Sequence, residues 1–239
     1  MNRPRLCSVF LLALLLVPVF TLSATSITVP NFSFESPALA DGANNTGGDG
    51  NTTAITGWTI SNPFNTDNGV YHPMAGFTST DPLPAPADGD QVAYLVPGSE
   101  GTASITTSAS LGNVGASMIY TLTVALGNRS DQMFFDNGLY TIDLLANGVS
   151  VAEANLNGNL VAHGTFTDLS ASFTSPASGA VIGESLTIRL SASSGFSNNE
   201  GIFDNVRLTA TPVPEPSSLS LIMLAGATLV SKLKKKLRT

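Results

Sequence analysis

Apolar and polar residues alternate along much of the chain, and the clearest example is residues 117–126, SMIYTLTVAL. Every even position from 118 to 126 is apolar, while Thr121 and Thr123 fall on the other parity. Side chains of a strand point alternately to its two faces. The period of two therefore predicts a strand with one buried face and one largely polar face.

The same alternation predicts a hairpin in the middle of the chain. Residues 139–146 and 149–156 flank Asn147-Gly148, a dipeptide that tolerates the positive φ angles of a type I′ turn. Further strands are predicted at residues 26–35, 54–60, 91–96, 102–107, 164–174, 185–192 and 201–211. No segment between the two ends of the chain sustains a period of 3.6, so we expect little helix. The pattern predicts an all-β sandwich.

Two irregular stretches, residues 41–51 and 62–90, are too long to be hairpin turns. Loops of this length are uncommon unless they bind something or are mobile. A binding site at one end of the sandwich and plain surface decoration both remain open from the sequence.

The N-terminus has the features of a signal peptide over residues 1–26. Arg3 and Arg5 precede an apolar run, and small residues follow it, so we expect cleavage after Ala24 or Ser26. A retained signal anchor is the alternative. The single cysteine, Cys7, lies in this leader, so the exported chain is expected to have no disulfide and no cysteine ligand.

Charge is distributed unevenly along the 239 residues, whose formal net charge is -7. Residues 25–212 contain sixteen acidic residues but only three basic ones, Arg129, Arg189 and Arg207. An acidic body argues against nucleic acid as a partner, because binding to phosphates needs clustered Lys and Arg. It is compatible with divalent cations.

Asp204 carries the strongest chemical feature of the body. It shares the parity of Ile202, Val206 and Leu208, so the alternation predicts that its carboxylate points toward the core. A buried carboxylate without a partner is energetically costly. The side chain therefore needs a cation or hydrogen-bond donors.

A calcium ion is the partner that the sequence favours, because Ca²⁺ takes six to eight oxygen ligands. We predict that Glu35 and Asp204 meet across the first and last strands and hold a structural Ca²⁺, with Asn31 as a third candidate ligand. The alternatives are that Asp204 pairs with Arg189 or Arg207, or caps a loop.

Several motifs resemble those of a known family: NFSFESPALADG from residue 31, GW at 57–58, GDQVAYL at 89–95, YTLTVALGNR at 120–129 and FDNVRLTA at 203–210. They resemble the galactose-binding-like, carbohydrate-module type of jelly roll, and in particular the secreted calcium-binding family that includes the Stig cyclases of hapalindole biosynthesis. The resemblance implies a two-sheet jelly roll over residues 27–211 and calcium ligands at Glu35 and Asp204. It does not decide between a binding module and an enzyme.

Our main functional interpretation of the sequence is an exported cell-surface or matrix protein, whose calcium-stabilised sandwich binds exopolysaccharide. Saccharide sites in such folds use exposed aromatic side chains, and the candidates are Trp58, Tyr71 and Phe77. Trp58, as a lone tryptophan, is also a typical core residue.

The alternative is a secreted enzyme similar to the Stig cyclases, acting on an apolar small molecule. Such an enzyme needs a general acid beside an aromatic-lined cavity, and Asp204 and Tyr94 are the candidates. An aspartate committed to calcium could not also donate a proton. The sequence contains no G-x-S-x-G or H-E-x-x-H motif for another kind of catalysis.

The C-terminal segment, residues 212–239, resembles a PEP-CTERM sorting signal. Pro214, Glu215 and Pro216 precede a short apolar stretch and a basic tail. Residues 217–233 as a helix would reach about 25 Å, which is marginal for a bilayer core of about 30 Å. The resemblance implies export through the Sec pathway, a transient stay in the inner membrane and recognition by an exosortase-type protease, followed by release to the cell surface or the exterior. A plain tail anchor is the alternative.

Overall fold

Two antiparallel β-sheets pack face to face in this protein. The computed structural model describes residues 23–43, 55–61, 68–73, 86–98, 101–129, 136–194 and 200–214. The strands are β1 (Thr25–Ile27), β2 (Trp58–Ser61), β3 (Asn68–Tyr71), β4 (Val92–Leu95), β5 (Gly101–Thr107), β6 (Met118–Asn128), β7 (Gly138–Ala146), β8 (Val149–Asn157), β9 (Thr165–Thr174), β10 (Leu186–Ser194) and β11 (Gly201–Pro212).

Within the described ranges, one sheet has the strand order β3-β4-β11-β6-β9, with β1 also pairing with β11, and the other has the order β2-β5-β10-β7-β8. We call these the first and the second sheet. Each sheet mixes strands that are distant in sequence, so the architecture is an all-β sandwich with long crossovers between the layers. The prediction of an all-β sandwich is confirmed.

The core lies between the two sheets and is built by the predicted alternation. In β6, Tyr120, Leu122 and Val124 are buried, while Thr121 and Thr123 face away from the core and bond to serines of β9. The predicted hairpin is present, with Asn147 at φ 50° and Gly148 at φ 77°. Burial of large apolar side chains in both layers supplies most of the driving force for folding.

The predicted strands and the observed ones differ at the N-terminal end. The strand predicted at residues 26–35 is only Thr25–Ile27, because residues 30–33 form a turn with Asn31 at φ 47°. Strand β3 lies inside the stretch that was predicted to be a loop at 62–90. It was missed because a four-residue strand containing a glycine has almost no pattern.

Helix is confined to one short 3₁₀ turn, Gly158–Leu160, in the part of the chain that the structure describes. None of the helices in the described ranges is both long and apolar enough to span a membrane. The predicted signal peptide, up to residue 22, and the predicted membrane segment, residues 217–233, lie outside the described residues.

The last strand contains a β-bulge between Asp204 and Arg207. Asn205 takes a positive φ of 46°, and the Val206 N–H donates to the Phe32 carbonyl at 2.8 Å. A bulge inserts an extra residue and so reverses which side chains face the core. The two halves of β11 therefore present opposite parities to the core.

This reversal corrects the prediction for Asp204. Before the bulge, Phe203 packs in the core, with its ring edge-on to Tyr140 at 5.3 Å. After the bulge, Val206 and Leu208 pack in the core. Asp204 has the opposite parity to Phe203, so its side chain lies on the face of the first sheet that points away from the second sheet. The prediction that it points toward the core with Val206 and Leu208 is wrong.

Tyr140 links the two sheets through its hydroxyl group. It is fully buried, donates to the carbonyl of Gly127 in β6 and accepts from the Ile202 N–H of β11 at 3.2 Å. Because Gly127 and Ile202 are register partners, the hydroxyl stands between two neighbouring strands of the first sheet. Burial raises the pKa of Tyr140, so the hydroxyl keeps its proton.

Tyr140→Phe should lower the free energy of unfolding by about 2–3 kcal/mol, because two buried backbone groups lose their partner. Denaturant unfolding measures this change. Tyr120→Phe is the matched control, because the Tyr120 hydroxyl accepts a hydrogen bond from one backbone N–H, that of Gly115. An unchanged midpoint for Tyr140→Phe would show that the hydroxyl does not connect the sheets.

Candidate functional site

Asp204 lies in the middle of the outer face of the first sheet, which is the face turned away from the second sheet. The strand registers place the outward side chains in rows that run across the strands. With the β4–β11 register extended by one residue, the row through Asp204 is Tyr71, Val92, Asp204, Ala125 and Asp168. The neighbouring row is Gly69, Tyr94, Ile202, Gly127 and Phe166.

Apolar side chains of these two rows form a cluster separate from the main core. Val92 and Ile202 are completely buried and pack with Tyr71 and Phe166. Tyr94, opposite Ile202 in the register, is only 7% exposed. We call these five residues the aromatic patch. The patch is unusual for an outer face, which in an antiparallel sheet is commonly solvated.

The Asp204 carboxyl group is buried beside this patch, with an exposed fraction of 0%. Its Oδ2 accepts from the Asp88 N–H at 2.9 Å and its Oδ1 from the Asn205 N–H at 2.6 Å. Burial raises the pKa of Asp204 to about 7, because desolvation outweighs these hydrogen bonds, which act in the opposite direction. The group therefore changes protonation near neutral pH.

The arginines considered as partners of Asp204 are engaged elsewhere. Arg207 contacts the Asp168 carboxylate at 2.6 Å, and Arg189 contacts the buried Asp143 of the second sheet at 3.1 Å. The alternative in which Asp204 pairs with one of them is therefore wrong. Donors from the backbone take the place that an arginine would have filled.

Glu35 reaches the same turn from the other side. Its Oε1 accepts from the backbone N–H groups of Asp90 and Gln91, both at 2.8 Å. Gly89 of this turn has φ 68°, and a Cβ at this position would overlap the Glu35 carboxylate. The turn at residues 87–90 thus lies between Glu35 and Asp204, and only glycine fits at its centre.

Gln91 fastens the turn to the N-terminal segment. It is 1% exposed, and its amide donates to the carbonyls of Phe34 and Pro37 while its Oε1 accepts from the Leu39 N–H at 2.6 Å. Through these bonds, the Gln91 amide holds residues 34–39 against the start of β4.

Each of the three predicted calcium ligands makes hydrogen bonds to the backbone. Glu35 and Asp204 contact different N–H groups of the turn, and the Asn31 side chain is bonded to the backbone of Ser36 and Thr56. Within the described ranges, no group of three or more His, Cys, Asp or Glu side chains is placed to hold a metal. Calcium stays a prediction from the sequence, which melting with and without a chelator would test; at Asp204 it is the alternative to the role of proton donor.

The predicted ligand-binding aromatics are separated by the structure. Trp58 is in the core at 4% exposure, with its indole N–H bonded to the Pro30 carbonyl and its ring 5.5 Å from that of Phe34. Tyr71 belongs to the aromatic patch. Phe77 lies outside the described residues.

Of the predicted sorting motif, only Pro214 lies inside the described ranges, where it is exposed beyond the end of β11. Glu215 and Pro216 lie outside them. The structure therefore leaves the sorting motif as a prediction.

The family model described as HpiC1-like, HpiC1 cyclase, matches residues 25–209. The Stig cyclase Fisc from Fischerella sp. TAU, in complex with (3Z)-3-(1-methyl-2-pyrrolidinylidene)-3H-indole, has a similar structure, with a TM-score of 0.65 and 24% identity over 80% of this chain and 100% of that one. A cyclase from the same source, in complex with 4-(1H-indol-3-yl)butan-2-one, is similar with a TM-score of 0.63. The identity is 24% over 80% of this chain and 100% of that one. No curated protein sequence matches the chain.

These comparisons correct the functional interpretation of the sequence. The main interpretation, an exopolysaccharide-binding protein of the cell surface or matrix, is wrong, because the matching family is one of cyclases. The burial of Trp58 also removes one of its proposed saccharide contacts. The alternative interpretation, an enzyme acting on an apolar small molecule, agrees better with the findings.

The raised pKa of Asp204 makes stability depend on pH. Folding favours the protonated form, so the contribution is fully present below about pH 4 and is lost as the pH rises through about 7. The loss should reach up to about 4 kcal/mol, at 1.36 kcal/mol for each pKa unit.

Asp204→Asn should flatten this dependence between pH 4 and 8 in denaturant titrations, because the amide does not titrate. Asp168→Asn, which removes an exposed carboxylate of the same row, is the control and should keep the slope of the wild-type chain. An Asp204→Asn variant that keeps the full slope would show that another group causes it.

Proposed function

Because this chain belongs to the HpiC1-like cyclase family, we propose that it is an enzyme that closes a ring in an apolar small molecule, with Asp204 as the general acid. The observation that carries the proposal is a completely buried carboxyl group beside an aromatic patch on an outer sheet face. A solvated binding face has no need of such a group, whereas acid catalysis in an apolar site does.

The protonation state of Asp204 suits this role. With a pKa of about 7, a large fraction of the carboxyl groups is protonated at neutral pH and can donate. After the proton moves to the substrate, the N–H groups of Asp88 and Asn205 stabilise the carboxylate that remains. Transfer of a proton from the cyclised cation to this carboxylate would restore the protonated acid and release a neutral product.

The aromatic patch is suited to stabilising the cation that forms when the substrate is protonated. Protonation of an unsaturated carbon or nitrogen leaves a positive charge on the substrate, and the faces of aromatic rings attract cations. Tyr71, Tyr94 and Phe166 supply such rings in the two rows that contain Asp204 and Ile202. Ring closure within the substrate then moves the charge to another atom, and loss of a proton from the cyclised cation gives the neutral product.

Tyr94 is our second candidate for a direct role. It lies one row from Asp204 on the adjacent strand, and diagonal neighbours of this kind have Cα atoms about 7–8 Å apart, within reach of an aromatic side chain. We propose that Tyr94 orients the substrate against the carboxyl group, since its ring is almost fully buried at the patch.

The proposed ligand class is a flat, unsaturated molecule. The ligands named for the two Fischerella structures both contain an indole-type ring system. Indole itself is therefore the simplest probe, and protonation at its C3 followed by loss of the original hydrogen gives a proton-transfer assay.

In D₂O, the full-length chain should accelerate deuterium uptake at C3 of indole by about 100-fold over buffer, the lower range for a positioned general acid. NMR measures the uptake. Asp204→Asn should abolish the acceleration but keep indole affinity within about threefold, because the amide has nearly the same shape and cannot donate an acidic proton. Asp168→Asn is the matched control and should exchange like the wild-type chain. Exchange at the buffer rate with the wild-type chain, or full acceleration by Asp204→Asn, would contradict the assignment.

Export and sorting form a separate proposal that rests on the sequence. We propose that residues 1–26 direct the chain to the Sec pathway, that residues 217–233 hold it transiently in the inner membrane and that an exosortase-type protease acts near Pro214, Glu215 and Pro216. Strand β1 begins at Thr25, so cleavage after Ala24 would leave the whole strand in place and is the better of the two expected positions.

The sorting proposal predicts a shortened chain in cells that contain an exosortase. Intact-mass measurement of the protein tagged in its β-sandwich should give a C-terminus near residue 216 in such cells, and Thr239 in cells that lack the protease. A chain ending at Thr239 in both would rule out sorting and leave a tail anchor.

A further inference from the structure

Gly127 does not adopt a backbone conformation that requires glycine. It lies in β6, is buried, and its φ is outside the left-handed range where glycine is favoured. Glycine inside a strand weakens it, because it has more conformational entropy to lose and no side chain to pack. Its presence is therefore explained by space.

The space above Gly127 is occupied by the Phe166 ring. A Cβ at position 127 would lie 2.8 Å from Phe166 Cε1, 3.0 Å from Phe166 Cζ and 3.1 Å from Ile202 Cγ2. Real carbon atoms do not approach this closely, so any other residue would have to displace the ring. The absence of a side chain lets Phe166, on an edge strand, lie across β6 toward Ile202.

The backbone of β6 has little freedom to yield instead. On the side of the core, the Tyr140 hydroxyl binds the Gly127 carbonyl and the Ile202 N–H together. Gly127 is thus held from below by a fully buried side chain and covered from above by the Phe166 ring. A side chain at 127 would be accommodated mainly by outward movement of that ring.

We infer that Gly127 is a specificity-determining position of the proposed active site, and that it acts by admitting Phe166 as one wall of the aromatic patch. Asp204 lies two residues from Ile202 on the same face of β11, so this wall stands next to the carboxyl group. The inference rests on the proposed function and deepens it. A wall that extends from β9 across β6 toward Ile202 leaves more room for a thin, planar ligand than for a puckered ligand of the same connectivity.

A pair of neutral bicyclic alcohols tests this selection with the full-length chain. 1-Naphthol is flat and decahydro-1-naphthol is puckered, and binding of each is measured by calorimetric titration. Wild-type protein should prefer 1-naphthol, and Gly127→Ala should reduce that preference about tenfold, the scale of one lost aromatic contact. Thr121→Ala is the control, since it lies on the same face of β6 away from the patch and should leave the preference unchanged.

A double-mutant cycle tests whether the effect runs through Phe166. Phe166→Leu should itself reduce the preference, and adding Gly127→Ala to it should reduce the preference no further. Gly127→Ala alone should lower the melting temperature, and Phe166→Leu should relieve part of that loss by removing the ring that the new methyl group meets.

The outcomes separate this inference from the proposed function. A preference that Gly127→Ala leaves unchanged, or reduces equally with and without Phe166, would overturn the inference while leaving the enzyme proposal intact. A wild-type chain that binds neither alcohol nor indole would overturn both.

Discussion

One backbone hydrogen bond fixes the arrangement on which the site depends. The Phe32 carbonyl accepts the Val206 N–H beside a residue with positive φ, Asn205, and this holds the bulge in β11. Because of the bulge, a single strand can place Phe203 and Val206 in the core and Asp204 on the outer face. Without it, the alternation would place the carboxyl group between the two sheets.

Few basic side chains are available to the site, because residues 25–212 contain three arginines and no lysine. Each of the three arginines contacts a carboxylate other than Asp204, namely Glu200, Asp143 and Asp168. Among the described residues, Asp204 accepts from the backbone N–H groups of Asp88 and Asn205, and desolvation outweighs these bonds, so its pKa is raised. The raised pKa of Asp204 thus depends on the engagement of the three arginines elsewhere as well as on burial.

Sequence reasoning was most successful where the pattern was local. The alternation in β6 and the Asn147-Gly148 turn were predictable because each depends on neighbouring residues only. It failed at Asp204, since one extra residue reverses a parity argument and nothing in the letters FDNV marks a bulge.

The composition of the site was predictable only in part. The prediction brought Glu35 and Asp204 together across the first and last strands; in the structure each accepts hydrogen bonds from the turn at residues 87–90. Ala125, Gly127 and Phe166 carried no signal, because their proximity to Asp204 arises from a register that spans three strands, β11, β6 and β9. Such a register is a property of the assembled sheet, and it is not readable from one segment.

The turn at residues 87–90 also bears on how the protein comes into being. It is held by a side chain from the beginning of the chain, Glu35, and by one from its end, Asp204. Contacts between residues so far apart in sequence form slowly, because the intervening chain must first be closed into a loop. A chain that lacks β11 cannot form the contact between Asp204 and this turn, so the turn is held from both sides only when both ends of the β-sandwich are present.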